Sequence, residues 1–155
     1  MTRTVARQLA VHLIFASGFD ADGAQRVLDD ALTPEHFALL APEDSLYAVY
    51  PDAKQEAYIR TLVTGVAERR AELDEYIVRY AVGWSFARIP RVARAIMAAA
   101  MYEVLYMPDV PDAAAIDAAV EIAKNYETPE VVAFINGILG SFTRDRAAEA
   151  DSDKE

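Results

Sequence analysis

Apolar residues recur at steps of three and four along most of the chain, which is the spacing of one face of an α-helix. In the segment VVAFINGILGSF, one such face would carry Val132, Ile135, Leu139 and Phe142. The same segment contains Asn136-Gly137, the dipeptide most typical of a β-hairpin turn. Its apolar residues do not alternate, however, and Thr128-Pro129 upstream is typical of a helix N-cap followed by proline. The segment is therefore predicted to be a helix.

Two polar or small residues inside this helix need a reason to be there. Gly137 falls in a stripe of small residues, which would let a neighbouring backbone come close and offset the ~1 kcal/mol cost of an interior glycine. Asn136 falls in the arc of Val132 and Leu139, so we expect its amide to be buried and hydrogen-bonded to a neighbouring helix or loop. Both are predicted to be structural residues.

Comparable periodicity predicts helices along nearly the whole chain, and no segment shows the alternation of a strand. The stretch LAPEDSLYAVYPDA has three turn-forming positions and predicts a long loop over 41–52. Gly83 marks a break between two halves. We predict an all-α fold of about seven helices in two small bundles, residues 1–82 and 83–146. A disordered acidic tail is expected over 147–155.

Composition narrows the possible chemistry. Apolar residues make up 54% of the 155 residues and charged residues 26%, as in an ordinary soluble domain. The absence of cysteine excludes disulfides and thiolate chemistry, and neither histidine has metal-ligand spacing, so no cofactor or metal is expected. No apolar run approaches the ~20 residues of a membrane span. The start of the chain resembles an amphipathic helix more than a leader, since Arg7 and His12 interrupt it, so a cytoplasmic location is expected.

Charge is unevenly distributed along the chain, whose formal net charge is −10. Residues 20–75 carry 13 acidic and 5 basic side chains, whereas residues 76–102 carry four arginines and no carboxylate. Residues 1–19 carry Arg3 and Arg7, also without a carboxylate. If folding joins the two basic segments, they would form one positive patch; otherwise they are solvated surface charges. Charge alone leaves both interpretations open.

The second half of the chain, from Ile89 to Leu139, contains an ordered set of motifs: Tyr102-Glu103-Val104, Asp109-Val110-Pro111, the helix Ile116 to Lys124, and Phe134 to Leu139. In this order the motifs resemble those of the transcription antitermination factor family NusB. The N-terminal segment TVARQLAVHLIFA resembles the opening helix of the family more weakly. This resemblance implies two three-helix bundles packed side by side.

The resemblance also implies a function without catalysis. Family members bind the boxA segment of nascent ribosomal RNA leader transcripts together with a small-subunit ribosomal protein, NusE. The pair joins an RNA polymerase complex that resists termination. Carried over to this chain, the RNA-binding positions are Arg3, Arg7, Lys124, Asn125 and Tyr126. Cations would contact phosphates, and Tyr126 would offer a face for a base to stack on.

The ribosomal partner is expected on the helix that precedes Tyr102-Glu103 and on nearby positions. The residues that the resemblance implies for this contact are Phe15, Arg91, Arg94, Ala98 and Glu103. Family members occur as monomers and as homodimers, and the sequence favours neither state. No membrane contact is expected.

Departures from the family pattern keep a second hypothesis open. The opening helix has two arginines where three or four are frequent, and Ala98 and Ala133 stand where cations are common. The alternative is a divergent protein-interaction module of the same fold with weak or no RNA binding. An enzyme is the third class, since similar domains precede some RNA cytosine methyltransferases. The chain has no nucleotide-binding glycine motif, and its carboxylate pairs are typical of helix surfaces, so catalysis is not expected.

Overall fold

The computed structural model describes residues 1–153, which form eight α-helices and no strand. The helices are α1 (Arg3–Ala16), α2 (Ala21–Ala31), α3 (Pro34–Leu40), α4 (Ala53–Glu68), α5 (Arg70–Tyr80), α6 (Arg91–Tyr106), α7 (Asp112–Tyr126) and α8 (Pro129–Asp153). Short 3₁₀ turns lie at Ser45–Tyr47 and Phe86–Arg88. The all-α prediction is confirmed.

The helices form two compact units, Met1–Arg70 and the chain from Ala71 onward. The sequence pattern places this division later, between residues 82 and 83. The difference arises because α5 bonds to helices of the second unit. The Tyr106 hydroxyl donates to Glu72 at 2.6 Å, and the Tyr80 hydroxyl donates to Asp145 at 2.7 Å. These partners are far apart in sequence, so local periodicity does not reveal them.

In the first unit, α1 packs against α4 and α2, and α2 packs against α4. The connection from α1 to α2 is tight: Gly18 and Phe19 both have positive φ, +70° and +63°. The Ser17 hydroxyl accepts a hydrogen bond from the Phe19 amide at 3.1 Å and so supports this turn. Phe19 is buried, which holds the unfavourable backbone conformation in place.

The predicted loop over 41–52 contains no α-helix, in agreement with its turn-forming residues. It is nevertheless anchored to the first unit. Leu46 and Tyr47 in its 3₁₀ turn are buried, and the Tyr50 hydroxyl donates to the Leu32 carbonyl at 2.8 Å. The Tyr47 ring lies edge-on to Phe37, with centroids 4.9 Å apart.

In the second unit, α6 packs against α7 and α8, and α7 packs against α8. The middle of α6 is buried on all sides over residues 95–101, which are alanines, methionines and one isoleucine. Small side chains allow two neighbouring helices to approach the same helix. The alanine-rich sequence of α6 is therefore explained by its central position in this unit.

The segment with Asn136-Gly137 is helical, as predicted, and lies within α8. Its buried face consists of Val131, Ile135, Ile138, Leu139 and Phe142. Val131 and Ile138, which the predicted face did not include, shift the centre of the buried arc away from Asn136, which is exposed. The predictions that Asn136 is buried and that Gly137 lies at a close helix crossing are wrong. Gly137 is also exposed, and a Cβ added to it would have no atom within 4 Å.

Helix α8 continues to Asp153, so the segment 147–153 is helical and not a disordered tail as predicted. Lys154 and Glu155, the rest of that predicted tail, lie outside the described residues. Among residues 1–153, no helix combines the length and the apolar character needed to cross a membrane.

Candidate nucleic-acid interface

Arg3 and Arg7 lie in the first two turns of α1, which begins after Thr2. The Thr2 hydroxyl caps this helix by accepting from the Val5 amide at 3.2 Å. Since the two arginines are four residues apart, they share a face of the helix. That face turns toward α4, where both guanidinium groups approach one aromatic ring. The Arg3 Cζ is 3.8 Å from the centre of the Tyr58 ring, and the Arg7 Cζ is 5.8 Å from it.

Arg3 has a second contact on α4. Its Nε donates to the Gln55 side-chain carbonyl at 2.8 Å. Gln55 is placed by the N-cap of α4, because the Asp52 carboxylate accepts from the Gln55 amide at 2.9 Å. Sequence reasoning missed Gln55 and Tyr58. Their spacing of three on one helix was a visible signal, but their pairing with α1 depends on tertiary packing.

The other predicted RNA-binding residues form the last turn of α7. Lys124, Asn125 and Tyr126 are consecutive and exposed, and Tyr126 keeps 41% of its surface accessible. The Lys124 ammonium pairs with the Glu121 carboxylate at 2.8 Å. Both side chains are more than half exposed, so this ion pair is weak and a phosphate can replace the carboxylate at little cost.

Beside this turn, residues of α7 and α8 line an open groove of about 470 Å³. It is lined by Val120, Lys124, Glu127, Pro129, Val132, Ala133 and Asn136. Partial burial raises the pKa of the Glu127 carboxyl. The exposed Asn136 side chain lines this groove, as does Lys124. Asn136 thus lies at the surface and not in the core position predicted for it.

The residues predicted to bind the ribosomal partner have mixed positions. Phe15 keeps 42% of its surface accessible, and Arg91 is exposed. Arg94 is ion-paired with Asp74. Ala98 and Glu103 are buried, with 2% and 0% of their surfaces accessible.

The prediction of direct partner contact is wrong for Ala98 and Glu103 in this conformation. Both lie in α6, on which α7 and α8 pack. That packing covers two side chains that the resemblance to the NusB family placed on a partner surface.

The structure thus brings the predicted RNA-binding residues into two local groups. In the first unit, Arg3 and Arg7 gather at the Tyr58 ring. In the second unit, Lys124, Asn125 and Tyr126 form one exposed helix terminus beside a groove. Cations and exposed aromatic faces are groups by which proteins bind single-stranded nucleic acid.

Comparisons with known proteins identify the family of this chain. The sequence model of the NusB family matches residues 4–144. The transcription antitermination protein NusB of Symbiobacterium thermophilum is 36% identical over 154 residues, which is 99% of this chain and 97% of that protein. The protein of the same name from Frankia casuarinae is 52% identical over 90 residues, 58% of this chain and 67% of that protein.

The fold also has a solved counterpart. A structure of NusB from T. maritima is similar with a TM-score of 0.67 and 26% identity, over 93% of this chain and 92% of that one. The match of the family model spans both units, and the relative at 36% identity covers nearly the whole chain. This protein therefore belongs to the NusB family of transcription antitermination proteins.

Proposed function

We propose that this protein binds boxA-like single-stranded RNA of ribosomal RNA leader transcripts together with the ribosomal protein NusE. The bound pair would then join the RNA polymerase complex and make it resistant to termination. The single observation that carries the RNA contact is the gathering of Arg3 and Arg7 at the Tyr58 ring. Two cations on one helix face, already turned toward a shared support, suit the phosphates of a single strand.

The last turn of α7 supports the same function. Tyr126 is an exposed aromatic face, and base stacking on such a face contributes ~1–3 kcal/mol per base. Lys124 is held by Glu121 only through a surface ion pair. RNA binding would exchange that carboxylate for a phosphate oxygen, with release of the phosphate's counterions.

The alternative is a protein-interaction module with weak or no RNA binding. The observation that favours it is the net charge of −10, which opposes the approach of a polyanion. The exposed Phe15 on α1 also suits a protein partner. The two hypotheses predict different effects on RNA binding when the two arginines of α1 are replaced.

The test is a titration of labelled boxA-like RNA with the full chain, with and without NusE, at several salt concentrations. We expect NusE to tighten binding. Replacing both Arg3 and Arg7 by alanine should weaken it at least tenfold and lower the slope of log K against log salt by about 1.4, the value for two lost phosphate contacts.

The matched control removes two other exposed arginines of the first unit, Arg26 and Arg70. This variant lowers the positive charge by the same amount as the loss of Arg3 and Arg7. It should therefore reproduce only the part of the loss in RNA affinity that comes from long-range electrostatic attraction. If NusE adds nothing, or if both double variants behave alike, the RNA-binding proposal fails and the interaction module is favoured.

A further inference from the structure

We infer that Gln55 and Tyr58 are positioning residues, which orient the Arg3 guanidinium for contact with an RNA phosphate before the RNA arrives. This inference rests on the proposed RNA-binding function and adds two residues to it. Neither residue has a charge of its own. Gln55 acts on RNA only through Arg3. Tyr58 acts mainly through Arg3, whose Cζ is 3.8 Å from the ring centre, whereas the Cζ of Arg7 is 5.8 Å away.

The geometry constrains the guanidinium in two directions. The hydrogen bond from Nε to Gln55 fixes one edge of the planar group, and the Tyr58 ring at 3.8 Å supports its face. Neither contact uses the two Nη nitrogens, which form the edge that pairs with two oxygens of a phosphate. The support is itself rigid, because only 8% of Gln55 and 4% of Tyr58 is accessible.

The neutral amide is the informative part of this arrangement. Arg60 is paired with Glu56 and Arg94 with Asp74, and such carboxylates neutralise the cations that they hold. Gln55 accepts the same kind of hydrogen bond without adding a negative charge. Arg3 is therefore ordered while its full charge remains available to an anion. An arginine that is already ordered loses less side-chain freedom on binding than a mobile one does.

Gln55 lies in the first turn of α4, where glutamine is not the most stabilising residue. Gln55 is the third residue of α4, and Asp52 is its N-cap. At this position glutamate is at least as favourable, because it completes a capping box and lies near the positive end of the helix dipole. A glutamate there would also form an ion pair with Arg3. Because only 8% of residue 55 is accessible, a glutamate there also carries a desolvation cost. The cap, the helix dipole and the ion pair with Arg3 are expected to offset this cost, whereas RNA binding disfavours Gln55→Glu.

The decisive experiment compares thermal unfolding and RNA titration for Gln55→Glu. We expect an unfolding temperature equal to or above that of the wild type. RNA affinity should fall about threefold to tenfold, and the salt slope should decrease by up to about 0.7, the value for one phosphate contact. Gln25→Glu adds the same charge on α2 and is the matched control, so it should leave the slope unchanged.

A second pair of variants tests the ring. Tyr58→Phe keeps the aromatic face and should bind RNA with the wild-type salt slope, whereas Tyr58→Leu removes the face and should lower both affinity and slope. If Tyr58→Leu does not fold, the Gln55→Glu result decides alone, because that change is expected to preserve the fold.

The outcomes separate this inference from the proposed function. If Arg3→Ala weakens RNA binding but Gln55→Glu keeps wild-type affinity and slope, the positioning role is overturned and the RNA-binding function stands. If the wild-type protein with NusE binds no boxA-like RNA, both are overturned. A purely structural role would change the unfolding temperature without changing the salt slope of the folded protein.

Discussion

Arg94 and Asp74 form a two-point ion pair within the second unit. The Arg94 Nε donates to Oδ1 of Asp74 at 3.0 Å, and Nη2 donates to Oδ2 at 2.7 Å. The Arg94 Cζ also lies 5.0 Å from the centre of the Phe86 ring. The resemblance to the NusB family implies that Arg94 binds a protein partner, but here it joins α6 to α5 and the 3₁₀ turn.

Breaking this pair should destabilise the fold. We expect Asp74→Asn to lower the free energy of unfolding by about 1–2 kcal/mol, because both side chains are only about one-fifth exposed and the geometry is bidentate. Urea unfolding of Asp74→Asn, Arg94→Met and the double variant would measure the coupling. Glu121→Gln, which breaks an exposed pair, should cost less than about 0.5 kcal/mol. Equal losses for the two pairs would contradict this account of Arg94.

Gly23 marks a close approach between α2 and the end of α1. A Cβ built on it would overlap sterically with the Ser17 carbonyl oxygen. This oxygen belongs to the backbone, so a side-chain rotation cannot relieve the overlap. We expect Gly23→Ala to lower the free energy of unfolding by about 2–4 kcal/mol, since the two helices must separate locally. Urea or thermal unfolding measures the loss. A variant as stable as the wild type would show that this contact relaxes freely.

Gly137 should respond in the opposite direction to the same substitution. It is exposed within α8, and an added Cβ has no atom within 4 Å. Gly137→Ala should raise the free energy of unfolding by about 0.5–1 kcal/mol, because alanine loses less backbone freedom in a helix than glycine does. Thermal unfolding beside Gly23→Ala provides the comparison. A loss of stability would mean that some group occupies the space next to Gly137.

These two glycines illustrate what the sequence predicts well and what it does not. Helical periodicity is a local property, so the helix through Asn136-Gly137 was predictable despite its hairpin dipeptide. The direction in which the helix buries its residues was not, because two residues outside the predicted face, Val131 and Ile138, are buried and move the centre of the buried arc. The sequence pattern does not distinguish Gly23, since its constraint comes from the backbone at the end of a different helix.

The candidate interface shows the same division. The resemblance to the NusB family implied that Arg3 and Arg7 bind RNA. Gln55, which accepts the hydrogen bond from Arg3, is 52 residues away in the sequence. No spacing rule connects such distant positions. The burial of Glu103 likewise depends on how α7 and α8 pack on α6, so a position assigned to a partner surface proved to be internal.

His12 provides a prediction about pH. It lies on α1 and is partly buried, and this burial lowers the pKa of its imidazole, while the nearby Asp44 carboxylate opposes part of the shift. A histidine whose pKa is lower in the folded state binds its proton more weakly there than in the unfolded chain. The unfolded chain, with a pKa near 6.5, therefore takes up more protons as the pH falls.

The stability contributed by neutral His12 should be fully present above about pH 6.5 and decline as the pH falls toward the lowered folded-state pKa. Urea unfolding at a series of pH values between about 7.5 and 5.5 would follow the decline, since most carboxylates titrate at lower pH. His12→Gln should flatten the pH dependence in this interval, and the difference between the two proteins isolates the histidine from groups such as Glu127, whose pKa is raised by burial. If the wild type and His12→Gln lose stability in parallel, His12 does not titrate differently in the two states. The burial of its imidazole would then have no energetic consequence in this pH range.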